Sequence, residues 1–302
     1  MNKKGGWRIL KVLAVGLCVL MGVASVHAAD ELAVLRRALT HHASFDRELR
    51  ADYSRGDPVL YSYTNTTERE QGGKVAQPQE GLLMIAKGAG RYRGALLWNT
   101  PSPLRLFYRG EGMLGYNKDG WSGSISVWLR TSPDVDLAPG YCDPLQIVGG
   151  PVRTGFIFLE WSKSETPRHF RFAIQPLQHL WNPGGIPWEE IPYKKRPMVQ
   201  VERAPFSRAR WTHVVLSFEN INNRSKPQRG RLHIDGQLQG SIENLELTLD
   251  WEADRVGLVL GAAYVGHMDD LSVFSQAVTD EEIQLLHKLS NGVSDLYRIN
   301  NK

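Results

Sequence analysis

Polar and apolar positions alternate with period two along most of the chain. Ile125, Val127 and Leu129 interleave with Ser124, Ser126 and Trp128; Val214, Leu216 and Phe218 interleave with His213, Val215 and Ser217; Leu232 and Ile234 interleave with Arg231 and His233. Successive strand residues point to opposite faces, so this alternation among β-branched and aromatic residues predicts half-buried strands. Asp235-Gly236, between Arg231–Ile234 and Gln237–Ser241, predicts a two-residue hairpin: the turn that matches strand twist needs positive φ at both central positions, which Asp and Gly tolerate. Further strands are predicted at Leu82–Ile85, Leu104–Tyr108, Phe156–Trp161, Phe170–Ile174 and Val256–Leu260. Many short strands with turn residues between them imply a β-sandwich or barrel.

Helical periodicity is confined to the two ends. Glu31–Leu39 reads as a short helix. Thr279–Leu289 reads as a better one, with Thr279 as N-cap, Glu282 as its capping-box partner, an apolar stripe at Ile283, Leu285, Leu286 and Leu289, and Gly292 beyond its end. The strand rhythm breaks between Gln175 and Arg210, where Pro176, Pro183, Pro187, Pro192, Pro197, Pro205 and Gly184-Gly185 fall. Proline at this density excludes central strands and predicts a long irregular excursion. Trp181, Trp188 and Tyr193 lie inside it, and aromatic rings are depleted from disordered segments.

The start of the chain changes the charge picture. Lys3, Lys4, Arg8 and Lys11 precede an apolar run from Val12 to Val26, and Val26-His27-Ala28 has the small-residue spacing of a cleavage site. That order predicts a secretory signal peptide at residues 1–28, since a spanning helix needs about 20 apolar residues. Cys18 lies within the apolar run rather than at its end, unlike a lipid-attachment cysteine. The whole chain has 36 Lys+Arg against 32 Asp+Glu, and the signal holds four of the basic residues and no acidic one, so the remainder balances at 32 each. Without a global basic field, nucleic acid and anionic membranes are not expected partners, and no membrane span is expected after cleavage. The lone remaining Cys142 excludes an intrachain disulfide and reads as a small buried side chain.

Three segments together resemble the laminin-G-like, concanavalin-A-like jelly-roll family: Gly123–Arg130 (GSISVWLR), Trp211–Phe218 (WTHVVLSF) with Gly230–Gly236 (GRLHIDG), and Leu260-Gly261 through Gly266–Phe274 (GHMDDLSVF) into Ala277–Ile283 (AVTDEEI). Phe45-Asp46 and Asp52 resemble the family's first strand and turn. The resemblance implies an all-β protein, a two-sheet antiparallel jelly-roll sandwich with a short C-terminal helix. The expected organisation is a signal peptide at 1–28, an N-terminal segment at 29–39, the jelly-roll domain at 40–290 with the loop at 175–210, and a tail at 291–302. The loop has no counterpart in the family's minimal pattern. The family includes glycan-binding, adhesive and protein-binding modules, and fold does not choose among them.

Two constellations carry candidate chemistry. In the loop, Trp181, Trp188 and Tyr193 with Asn182, Glu189 and Glu190 supply flat aromatic faces and polar groups suited to a sugar ring; the alternative is that the rings pin the loop to the sandwich. Asp269 is read as sharing a strand face with His267, Leu271 and Val273, hence buried, with Asp270 facing the other way. A buried carboxylate needs hydrogen bonds or a metal. By resemblance, a structural calcium ion would join Asp269 to Asp46; the alternative is that Asp269 accepts backbone hydrogen bonds. Enzyme signals are sparse. The paired-carboxylate strand pattern of concanavalin-like glycosidases begins at Glu252-Ala-Asp254 and fails at Val256 and Gly257, and no serine-hydrolase, zinc-protease or phosphate-loop motif occurs. The expectation is a secreted, periplasmic or cell-surface non-catalytic binding module for a polysaccharide or glycoconjugate; the alternatives are a structural or adhesive domain that binds an extracellular protein, and a glycoside-active enzyme with unrecognised carboxylates.

Overall fold

A computed structural model describes residues 30–298; the expected signal peptide at 1–28, with Cys18, lies outside the described residues. The alternating segments become strands of two antiparallel sheets. Sheet one runs β15 (Gln237–Ile242), β14 (Arg229–Ile234), β13 (Thr212–Ile221), β8 (Trp121–Arg130), β17 (Gly266–Phe274), β1 (Leu39–Ala43), β2 (Tyr53–Ser54), and β6 (Leu96–Trp98) joins β17 and carries β5 (Leu83–Ile85). Sheet two runs β12 (Met198–Val201), β11 (Phe170–Gln175), β10 (Phe156–Trp161), β9 (Cys142–Val148), β16 (Gly257–Ala262), β7 (Arg105–Arg109), β3 (Tyr61–Tyr63), β4 (Lys74–Val75). The chain crosses between sheets from β8 to β9, from β12 to β13 and from β16 to β17, which is jelly-roll connectivity.

The residues predicted to face inward do so. Ile125, Val127, Leu129, Val214, Leu216, Phe218, Leu232 and Ile234 meet Leu145, Ile157, Leu159, Phe172 and Leu260 of the other sheet in one core, which also takes in Cys142. Asp235 (φ +49) and Gly236 (φ +77) form the two-residue turn between β14 and β15. The excursion at 175–210 is less irregular than expected. It contains β12, which pairs with β11 through Arg171↔Gln200 and Ala173↔Met198 and lies at the sheet edge. Met198–Val201 is proline-free, and an edge position tolerates the prolines around it.

Helices cover the outer face of sheet one. Residues 30–38 are helical. The C-terminal helix Asp280–Lys288 starts at Thr279 with both bonds of the capping box in place. Ile283 and Leu286 pack with Leu35, Val215, Phe274 and Val293, and fully burying side chains of this size contributes about 1.5–3 kcal/mol each. Residues 291–298, set apart in the sequence as part of a tail, are packed: Gly292–Leu296 forms a 3-10 turn that buries Val293 and Leu296 in the same cluster. No helix among the described residues is long and apolar enough to cross a membrane.

Candidate functional site

The loop after β11 folds back over the outer face of sheet two. It makes one helical turn, Gln178–Trp181, then 3-10 turns at Trp188–Glu190 and Tyr193–Lys195, before entering β12. Asn182 closes its first half: its Nδ2 donates to the Ile186 carbonyl at 2.8 Å and its Oδ1 accepts from the Ile186 N–H at 2.9 Å. Trp181 and Trp188 meet edge to face, with ring centroids 5.7 Å apart and planes at 77°. Trp188 also meets Phe158 of β10 at 6.3 Å, and the Arg196 guanidinium lies 4.6 Å from its centroid. Tyr193 accepts a hydrogen bond from the Gln200 N–H at 3.1 Å. Glu189 stands at the exposed rim, where its Oε1 accepts from the Tyr141 hydroxyl at 3.2 Å and from Lys163 Nζ at 3.3 Å.

The structure therefore brings Trp181 and Trp188 together and places Glu189 on the rim beside them. Asn182 and Tyr193 hold the loop through their polar atoms. The rings pin the loop to the sandwich only in part. Trp188 joins Phe156, Phe158, Ala173 and Met198 in a satellite cluster, yet Trp181 and Trp188 stay only partly buried and Ile186 and Tyr193 are 48% and 44% exposed.

Strand register connects the loop to the rest of this face of the sheet. One transverse row of outward side chains reads Tyr61, Phe107, Val259, Gln146, Phe158, Ala173, Met198. Beside it lies a charged group that no sequence pattern marked. Glu160 of β10 pairs with Arg171 of β11, and it lies opposite a register shift in β9 that holds Asp143. Asp143 and Glu160 are 8% and 6% exposed and Arg171 is 3% exposed. Arg171 donates to Glu160 at 3.1 Å, to Glu165 at 3.0 Å and to Gln200 at 3.1 Å, while Gln146 donates to Asp143 at 2.6 Å. Desolvation pushes the Glu165 carboxyl up, but hydrogen bonds from Ser162 and from the backbone at Glu165 and Ser164, with the Arg171 charge, bring it down to about 2. Glu165 thus neutralises Arg171. Burial raises both Asp143 and Glu160, and the charge of Asp143 raises Glu160 further. Both shifts favour the protonated form of the pair.

The profile of the concanavalin A-like lectin/glucanases superfamily matches residues 122–284, more than half of the chain, from β8 to the C-terminal helix. The chain belongs to that superfamily. No curated protein matches it in sequence. Among solved structures, this concanavalin A-like chain is similar to domain 4 of AbnA, an extracellular arabinanase of family GH43 from Geobacillus stearothermophilus solved with arabinotriose. The identity is 14%, the TM-score 0.51, and the match covers 82% of this chain and 97% of that one. It is also similar to the botulinum neurotoxin serotype D binding domain, at 11% identity and TM-score 0.53, and to the same toxin's ligand-binding domain with N-acetylneuraminic acid, at 13% and 0.51. In both cases 85% of this chain is covered and it spans 52% of the toxin chain, about half its length. At these identities the likeness is one of fold.

For this concanavalin A-like domain, the expected calcium would sit at Asp269 and Asp46. Asp269 Oδ2 accepts from the backbone N–H groups of Arg91 at 2.6 Å and Tyr92 at 3.2 Å. Asp46 accepts from the Gly94 N–H at 3.1 Å and lies 3.4 Å from the Arg93 guanidinium. The two carboxylates clamp one turn, residues 91–94, from two sides. Calcium takes six to eight oxygens, and among the described residues no group of three or more His, Cys, Asp or Glu is placed to hold a metal. These donors, already spent on N–H groups and a guanidinium, do not fit the ion. Burial, then the neighbouring Asp270, push the Asp269 carboxyl up to about 8.

The expected side-chain faces on β17 also need correction. A register shift between Asp269 and Ser272, with Asp270 at φ +51, inserts an extra residue. Leu271 and Val273 thereby join Met268 in the main core, while Asp269 pairs with Trp128, whose ring packs outside the sheet against His213 and His287. Asp270, buried in turn, binds His42 Nε2 at 2.7 Å and the Val293 N–H at 3.1 Å, tying the C-terminal turn to β1.

Proposed function

We propose that this protein is a non-catalytic glycan-binding module acting outside the cytoplasm, with its site on the outer face of sheet two at the loop 175–210. The observation that carries this reading is the edge-to-face Trp181–Trp188 pair, which stays partly open to solvent with the Arg196 guanidinium against Trp188 and the Glu189 carboxylate nearby. Sugar rings present C–H faces that stack on aromatic planes and hydroxyls that need charged or amide partners, and this edge of the loop offers both. The signal-like segment at 1–28 supports export, and the arabinotriose and N-acetylneuraminic acid bound by the fold neighbours support the ligand class. A hydrolytic role is disfavoured because a glycosidase needs two carboxyls free to flank a glycosidic bond, whereas Asp143 and Glu160 are buried and committed to Gln146 and Arg171.

The test is a glycan-array screen of the protein, followed by affinity measurements on Trp181→Ala and Trp188→Ala. Trp211→Ala is the control, since Trp211 lies outside the site with Arg130 over its ring at 4.8 Å. Selective binding weakened roughly tenfold or more by either loop substitution, and unchanged in the control, is the expected result. Absence of glycan binding would instead favour an extracellular protein as the ligand.

A further inference from the structure

A second cleft opens on the same outer face, on the other side of sheet two, with a volume of about 330 Å³. Arg69, Arg109 and Arg255 line it, with Phe107 and Gly257 from the sheet. Phe107 belongs to the transverse row that runs through Val259 and Gln146 to Phe158, and Phe158 meets Trp188. From β7 to β10 is three strand spacings, about 14 Å. The cleft and the tryptophan pair thus lie on one face of the sheet, with the buried side chains of Phe107, Val259 and Phe158 between them.

The arginines are short of partners. Arg109 lies over the Tyr61 ring at 4.5 Å, and its carboxylate partner, Asp57, is 4.0 Å away. Arg69 donates one N–H to the Arg255 carbonyl at 3.3 Å. Neither Arg69 nor Arg255 forms an ion pair among the described residues. Two carboxylates of exposed residues, Glu70 and Asp254, also line the cleft, and among the described residues neither forms an ion pair with the three guanidiniums. Gly72, at φ +99, forms part of the wall, and a side chain there would come within 3.2 Å of Arg109 Nη2. Its absence leaves that guanidinium open. Guanidinium groups form paired hydrogen bonds with planar or tetrahedral oxyanions, and an anion between three of them relieves their mutual repulsion.

We propose that this cleft is a subsite for an anionic sugar substituent, and that the ligand is an acidic polysaccharide lying across the outer face of sheet two from Trp188 to Arg109. The proposal rests on the glycan-binding reading and gives it a substrate class.

The experiment compares four probes on the full protein by titration calorimetry: oligogalacturonate, its neutral methyl ester, dextran sulfate and neutral dextran. The first pair tests a carboxylate source of the negative charge, the second a sulfate source. At low salt at least one charged probe should bind roughly tenfold or more tighter than its neutral counterpart, and the preference should shrink as salt rises. The double variant Arg69→Gln/Arg255→Gln, at one half-buried and one exposed side chain, should lose the preference while the protein stays folded, as its Tm will show. Arg224→Gln/Lys226→Gln, on a different basic surface, should keep it. A charged-probe preference that survives in Arg69→Gln/Arg255→Gln overturns the subsite, as does equal binding of charged and neutral probes. In the latter case the array result with Trp188→Ala still stands, so failure of the subsite is separable from failure of the glycan reading. Failure of both charged probes to bind overturns the acidic-polysaccharide class.

Discussion

On the outer face of sheet one, Trp128, His213, Val215 and Phe274 are covered by two helices and a 3-10 turn whose apolar stripes pack onto the strands. On the outer face of sheet two, Phe158, Glu160 and Arg171 are met by a proline-rich loop held through Asn182, Tyr193 and two tryptophan edges. The first cover buries whole side chains with little polar chemistry left to solvent. The second holds its shape with a few hydrogen bonds and leaves aromatic rings, guanidiniums and a carboxylate at the surface. The two faces of one sandwich thus differ: one is sealed by packed helices, the other keeps polar and aromatic groups open to solvent.

Core truncation gives the largest contrast. Ile283→Ala, on the sealed face, should cost about 2–5 kcal/mol in urea denaturation. Trp188→Ala removes a larger side chain from the half-open face and should still cost less, since part of its surface is already wet. Equal losses would make the loop an ordinary part of the core, and the contrast between the faces would fail.

The faces should also differ in their response to pH. Burial, then the charges of His287, Arg91 and His233, pull His213 down to about 3. Its folded value lies below the unfolded one, so the unfolded chain takes up the proton first, and stability falls as pH drops from about 6.5 towards 3. Asp143 and Glu160 are raised, so their contribution is complete below the unfolded carboxyl range near 4 and is lost as pH rises through their folded values. Asp269, raised to about 8, adds to that alkaline loss from the other sheet. Tm should therefore be higher in mildly acidic solution than above about pH 8, and should fall again towards pH 3. His213→Phe should shrink the acid arm and Glu160→Gln the alkaline arm. Asp269 keeps part of that arm in either variant, so it is an arm of undiminished size in both Glu160→Gln and Asp143→Asn that would show that the pair ionises freely.

Local signals made most of the frame legible. The alternation in β8, β13 and β14, the Asp235-Gly236 turn and the Thr279 capping box each act within a few residues, so sequence alone exposes them. The bulge at Asp269–Ser272 was not legible, because the inserted residue is an aspartate at positive φ rather than a glycine, and it reverses the faces of everything after it. β12 was hidden by the prolines around it. Asp143, Glu160 and Arg171 come from three strands and meet only through register, so a search for carboxylates spaced along one strand passes over them. The loop's residue types were legible, but not their division of labour: that Asn182 closes the loop depends on where Ile186 returns.

That division can be tested at Asn182. Asn182→Ala removes both bonds to the Ile186 backbone and should cost about 1–2 kcal/mol, expressed as faster amide exchange across residues 182–197 with little change in the strands. Glycan affinity should fall with it, because Trp181 and Trp188 flank the segment it closes. Unchanged exchange would mean the aromatic contacts alone fix the loop.

The smallest stability effect belongs to Glu189. Its carboxylate takes hydrogen bonds from the Lys163 ammonium and the Tyr141 hydroxyl at the exposed rim. Exposed ion pairs contribute little because water and salt screen them and both side chains lose freedom in forming them. Glu189→Gln should therefore leave Tm unchanged. It should not leave binding unchanged, since Glu189 is the carboxylate beside the tryptophan pair and the site loses its charged acceptor there. A substitution silent in Tm that weakens glycan binding would assign Glu189 to the ligand; one silent in both would confine recognition to the rings and to the arginine cleft across the sheet.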